Sequence, residues 1–151
     1  MTRQDKDKLI DQLKKILAKQ PIKLAYLYGS YARGQETPKS DIDIAVVMEE
    51  SAEKTDYQIA GELQKSIGKG RPEIEVREIK PTTEPVFLRS VLKDRITLLA
   101  RSEKERVNFE TKGMKRFYDT QHLRNLNFYY LKKSLKEGSY GGRPTNFRKL
   151  A

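Results

Sequence analysis

The chain has 151 residues, 36% of them hydrophobic, with no cysteine, one histidine and a net charge of +10. That length suits one compact domain with a real core, and the absence of cysteine excludes disulfides and thiolate metal sites. A single histidine argues against a histidine-held zinc, so any metal is expected to be held by oxygen.

The charge suits nucleic acid, a nucleotide or an acidic protein without choosing among them. The abundance of Lys, Glu and Arg fits a heat-adapted source. Apolar runs such as Ile42 to Met48 are soon broken by acids, and Met1 to Asp5 carries no signal-like apolar core. A soluble, cytoplasmic protein with no membrane attachment is expected.

Leu9, Leu13, Ile16 and Leu17 recur at helical spacing, which predicts an amphipathic helix from Asp5 to Lys19, stopped before Pro21. A strand follows from Ile22 to Tyr28. Gly29-Ser30 ends it, with Ser30 expected to cap a short helix to about Arg33, and Gly34 and Pro38 mark a loop. Ile42 to Met48 reads as a second, buried strand.

The segment Glu53 to Ile67 places Ile59, Ala60, Leu63 and Ile67 on one helical face and ends at Gly68. Ile74, Val76 and Ile79 indicate a third strand, Glu84-Pro85 opens a helix carrying Phe87, Leu88, Val91 and Leu92, and Ile96 to Ala100 forms a short fourth strand. The order is αβαβαβαβ followed by helix, an α/β (α+β) fold with a mixed sheet of about four strands.

From Glu103 onward Val107, Met114, Phe117, Leu126 and Tyr130 keep an imperfect helical phase, with a break expected near Gly113 or Asp119-Thr120. Three parts are therefore expected: a catalytic unit over 1–102, a helical extension over 103–137 and a flexible tail over 138–151, where glycines, Ser139 and Pro144 resist regular structure.

The chemistry centres on Gly29-Ser30 and Asp41-Ile42-Asp43. Side chains alternate along a strand, so Asp41 and Asp43 should share one face while Ile42 and Ile44 enter the core. Neighbouring carboxylates repel unless an oxygen-preferring cation joins them, and magnesium is the natural one. Gly29 lets the backbone approach a ligand, and free N–H groups after Ser30 attract phosphate. Arg33 either adds a charge to the phosphates or pairs with a nearby carboxylate. A two-metal site needs a further acid, and Glu73-Ile74-Glu75-Val76-Arg77 supplies one: Glu75, nearer mid-strand, is preferred to Glu73.

Gly29-Ser30, Gly34, Ser40-Asp41-Ile42-Asp43 and the later strand carboxylate together resemble the minimal nucleotidyltransferase (MNT) group of the DNA polymerase β superfamily. The likeness is strongest over Ile22 to Met48, and the basic, Tyr-rich tail resembles MNT-type antitoxins of HEPN–MNT toxin–antitoxin pairs. It implies a polymerase-β-like fold in which Gly29, Ser30, Arg33 and Ser40 bind ATP while Asp41, Asp43 and Glu75 hold two magnesium ions. It further implies AMP transfer to a tyrosine of a cognate HEPN ribonuclease, and hence a hetero-oligomer. The family usually has Asp where Glu75 stands, which moves the carboxylate by about one C–C bond.

Other readings are a binding-only antitoxin with a vestigial site and a small-molecule nucleotidyltransferase of the aminoglycoside-modifying kind. Nucleic-acid binding is at most accessory. Arg116 and His122 have an Arg-x5-His spacing like that of HEPN ribonucleases, but the mixed α/β order of the first 100 residues leaves too little chain for a HEPN helical bundle. Tyr140 is an ordinary exposed tail tyrosine that could serve as an acceptor.

Overall fold

A computed structural model describes residues 2–68, 70 and 72–138; the tail reading beyond Gly138, with Tyr140, lies outside these. Helix α1 runs from Arg3 to Leu17, two residues ahead of the expected start, because Thr2 and Asp5 form a reciprocal capping box. Its Leu9, Leu13 and Leu17 are buried. Strand β1, Ile22–Tyr28, follows, then α2, Gly29–Arg33, and β2, Ile42–Met48.

Helix α3 spans Asp56–Ile67, starting later than expected because Thr55 provides the cap, accepting the Gln58 N–H. Strand β3, Ile74–Glu78, helix α4, Pro85–Lys93, and strand β4, Ile96–Ala100, complete the sheet region. Ile79 lies just past β3, but its N–H still donates to Val46 O at 2.8 Å.

The four strands are ordered β3-β2-β1-β4. β1 pairs antiparallel with both β2 and β4, and β3 pairs parallel with β2, so the sheet is mixed as the sequence predicts. Alternation splits the core in two. Leu27, Ile42, Ile44, Ile74 and Val76 pack with α1 and α3 on one face. Leu24, Tyr26 and Ala45 meet α4 residues on the other, together with Phe109 from α5, Glu103–Asp119.

Helix α5 is tied to this second face by a polar cluster. Glu110, only 13% exposed, accepts from Tyr26 Oη at 3.1 Å, from Arg95 Nε at 3.0 Å and Nη2 at 2.8 Å, and from Arg106 Nη1 at 2.9 Å. Gly113 is no break: a Cβ there would lie 3.3 Å from Leu92 Cδ1, so glycine lets α5 approach α4 closely. The break falls at Thr120, before α6, Gln121–Lys136, which buries none of its residues.

The outer edge of β3 is partly sealed by α3 side chains. Gln64 Oε1 accepts the Ile74 N–H at 2.8 Å, and Asp56 Oδ2 accepts the Glu78 N–H at 3.0 Å. Among the described residues no helix is long and apolar enough to cross a membrane.

Candidate active site

The site forms where β1 ends and β2 and β3 begin. In register, Tyr28 stands beside Asp43, and Asp43 beside Glu75, so three side chains make one row across three strands. Adjacent strands are about 4.8 Å apart, which brings the two carboxylates into each other's field without any help from a loop. The parallel β2–β3 pairing is what aligns them, and α3 is the crossover that makes this pairing possible.

The turn out of β1 is a glycine elbow. Gly29 has φ of 75°, and a Cβ placed on it would sit 2.5 Å from Asp43 Oδ2. Any side chain there would take the space of the carboxylate. Ser30 does not cap α2 as the sequence suggests: the capping position is Tyr28, with no side-chain cap, because the glycine itself makes the turn. The Ser30 hydroxyl makes no hydrogen bond among the described residues, while its carbonyl accepts the Gln35 N–H at 2.9 Å. Gly34, φ 69°, closes α2 in the left-handed region.

Asp41 lies in the loop just before β2 and is exposed, whereas Asp43 is half-buried. Ser40 braces this loop, accepting the Thr37 N–H at 2.8 Å, so its hydroxyl is turned to Thr37. Arg33 is exposed and donates to Gln35 Oε1 at 3.2 Å.

Electrostatics show which groups share the site. Burial, then the charges of Glu75 and Asp41, hold the Asp43 carboxyl above its ordinary pKa, and Arg33 and Arg77 oppose them. Burial, then Asp43, pushes the Tyr28 phenol up to about 12, so it stays protonated. None of Asp41, Asp43 and Glu75 forms an ion pair among the described residues, although the chain carries an excess of ten positive charges. The acids face one region without closing round a point. Among the described residues no three acidic, histidine or cysteine side chains are grouped as a metal cage.

Two further residues, Phe87 and Arg77, lie near the acids. Phe87, from the first turn of α4, meets Tyr28 edge-on at 5.9 Å and carries the Arg77 guanidinium 4.6 Å above its ring. Arg77 is thereby held beside Glu75 and Asp43, two residues along the strand face that Glu75 occupies. The alternation of β3 signalled Arg77, but nothing local signalled Phe87, which arrives from another element. Glu73 precedes β3; its carbonyl accepts the Ile42 N–H at 2.8 Å, and with Asp41, Glu75 and Tyr57 it lines a recess of about 340 Å³. A second cavity, about 650 Å³, lies at the opposite end of the strands, between Lys23, Met48, Lys80 and Phe109, away from the carboxylates.

An elbow glycine against a strand carboxylate, with a second acid in register beside it, defines a nucleotidyl-transfer architecture. The chain belongs to the polymerase beta nucleotidyltransferase family, whose model matches residues 11–104.

Solved structures share the fold. A chain of a toxin–antitoxin structure with AMP-PNP matches with a TM-score of 0.68 and 20% identity, covering 82% of this chain and 98% of that one. A chain from a complex of tri-AMPylated Shewanella oneidensis HEPN toxin with MNT antitoxin gives 0.65 and 18%, covering 84% and 98%. A chain of the MntA–HepT toxin–antitoxin structure gives 0.60 and 17%, covering 87% and 99%. At these identities the likeness is one of fold. No curated protein matches the chain in sequence. With a four-stranded mixed sheet at its centre, the chain does not have a HEPN bundle, and Arg116 is instead spent on Pro81 O and Thr83 O.

Proposed function

We propose that this chain is an antitoxin that transfers AMP from ATP to a tyrosine of a cognate HEPN ribonuclease, which neutralises the toxin. The observation that carries this is the Asp43–Glu75 register pair beside the Gly29 elbow. Family membership supports nucleotidyl transfer, and the fold shared with toxin–antitoxin complexes supports a protein acceptor.

In this reading Asp41, Asp43 and Glu75 hold magnesium, two ions in all. The acids fit such a group because none of them forms an ion pair among the described residues, and the proton affinity of Asp43, raised first by burial and then by the charges of Glu75 and Asp41, is one that a cation would offset. Magnesium, when bound, offsets charge building on the triphosphate oxygens. Glu75 rather than Glu73 is the third acid, because it is Glu75 that stands in register with Asp43. Gly29 brings backbone N–H groups to the phosphates, Ser30 offers its free hydroxyl, and Arg33 and Arg77 add positive charge. Ser40 acts by fixing the loop that carries Asp41.

The acceptor tyrosine oxygen bonds to the α-phosphorus as the bond from that phosphorus to the bridging oxygen breaks. Pyrophosphate leaves, and the hydroxyl proton passes to water. The added bulk and charge then block the ribonuclease site. Residues 1–102 make up the transferase unit and 103–137 its helical extension, in a cytoplasmic complex with the toxin.

Incubation with labelled ATP, magnesium and the neighbour-encoded toxin should place label on a toxin tyrosine. Absence of label with the toxin still neutralised rejects the enzymatic reading. The acids' open arrangement favours one second reading, a binding-only antitoxin. Asp41→Asn with Asp43→Asn would then leave neutralisation intact.

A further inference from the structure

Helix α6 is the least explained part of the molecule. None of its residues is buried, yet Leu123, Leu126, Phe128, Tyr130, Leu131 and Leu135 are 40–64% exposed. A patch of this kind on a protein surface marks a contact with something else. A helix of this length is also marginal in water by itself, since most helical stability comes from packing an apolar face.

The helix is nonetheless aimed. Phe117, near the end of α5, carries two guanidinium groups over its ring, Arg124 at 4.0 Å and Arg89 at 5.5 Å. Arg124 also donates to Thr120 Oγ1 at 2.5 Å and to Phe117 O. One end of α6 is therefore fixed to the end of α5, while none of its residues is buried.

At about 100° per residue the six apolar side chains fall on one broad half of α6. Lys132, Lys133 and Lys136 fall on the other, together with the exposed Tyr129, and no Asp or Glu occurs from Thr120 to Lys136. This composition decides among occupants. Residues 139–151 contain Arg143, Arg148 and Lys149 and neither Asp nor Glu, so they offer α6 no complementary acidic side chain. A second copy would set lysines against lysines. A nucleic-acid strand would use the aromatic rings and the lysines but would leave Leu123, Leu126, Leu131 and Leu135 without a role. Leucines at helical spacing match an apolar groove in a protein.

We infer that α6 is a docking arm for a protein partner that presents an apolar groove rimmed by acidic side chains. The inference rests on the proposed function in taking that partner to be the acceptor of the AMP transfer. The leucines and aromatics supply the grip, and the lysines steer the approach.

The test uses the full chain and the neighbour-encoded acceptor protein, with binding followed by calorimetry and transfer by labelled ATP. Leu126→Asp with Leu131→Asp changes only exposed positions, so the melting temperature and ATP affinity should hold while partner affinity falls at least 100-fold. Replacing Lys132, Lys133 and Lys136 with Gln should slow association about tenfold and flatten its salt dependence. Partner affinity within threefold of wild type in the Asp double variant overturns the inference, as does failure of the unaltered chain to bind the partner. Tight binding of single-stranded RNA, lost with Phe128→Ala and Tyr130→Ala while partner binding persists, overturns it in favour of nucleic acid. Complex formation that depends on Leu126 and Leu131, without any transfer of label, refutes the enzymatic reading and leaves the docking arm standing.

Discussion

Gly29 and Asp43 share a space that only one side chain can fill: a methyl group on Gly29 would lie 2.5 Å from Asp43 Oδ2. Gly29→Ala must both strain a backbone at φ 75° and push the carboxylate aside. The strain costs about 1–2 kcal/mol of stability. Transfer should fall further than stability does, by 100-fold or more, because a small displacement of a reacting constellation costs about that much. Gly34→Ala is the control. Its φ is 69° but nothing lies within 4 Å of the added methyl, so it should lose similar stability and keep its activity. Thermal melts and AMP-transfer rates on the pair separate the two effects.

Glu75→Gln and Glu73→Gln should part company. Glu75 stands in register with Asp43, whereas Glu73 precedes the strand and contributes its carbonyl to the ladder. Glu75→Gln is expected to lower the transfer rate by about 100- to 1,000-fold, the scale for losing one charge-stabilising group. Glu73→Gln should stay within about threefold. Single-turnover rates at saturating ATP and magnesium decide the matter.

Asp43 ties stability to pH. Its pKa is raised in the folded chain, so the stability it contributes is fully present below the ordinary carboxylate range and is lost as pH rises through the raised value. Asp43→Asn should therefore be the more stable protein at pH 7, by on the order of 1 kcal/mol, and the gap should close toward pH 3. Magnesium should raise the melting temperature of the unaltered chain at pH 7 and leave the Asn variant unmoved. Melts across pH, with and without the ion, test both statements.

Glu110 gathers Tyr26, Arg95 and Arg106 at the junction of sheet and α5. Removing it leaves the buried Tyr26 hydroxyl without its acceptor and strips each guanidinium of its contact to this carboxylate, although Arg95 keeps Leu92 O and Arg106 keeps Glu103. Glu110→Ala should cost about 2–3 kcal/mol, below the range for a fully buried pair because the arginines are 22–32% exposed. Denaturant unfolding would measure it.

Arg77 and Phe87 give a fifth expectation. With the guanidinium 4.6 Å over the ring, Phe87→Ala should release Arg77 and raise the KM for ATP about tenfold, and Arg77→Ala should do the same without adding to it in the double variant. Steady-state kinetics on the cycle would show the coupling.

The sequence was most legible where a local rule operates. Strand alternation alone set Ile42, Ile44, Ile74 and Val76 inward and left Asp43, Glu75 and Arg77 for the other face, as the structure has them. Element order and the bounds of β1, β2 and β4 were likewise written in apolar period and turn residues. What escaped was set by tertiary contact. Gly113 looked like a break but serves the packing of α5 on α4, and Ser30 looked like a cap although the glycine before it makes the turn. Phe87 could not be linked to Tyr28 and Arg77 without knowing that α4 lies over the sheet face of the acids.

The side chains of Gln64 and Asp56, by accepting the Ile74 and Glu78 N–H groups, have a consequence for how this molecule meets others. An open sheet margin is an invitation to strand addition and to fibrous self-association. Here two donors on β3 are already spoken for by α3, which discourages stray copies from zipping on beside Asp43 and Glu75 and leaves helices to handle recognition.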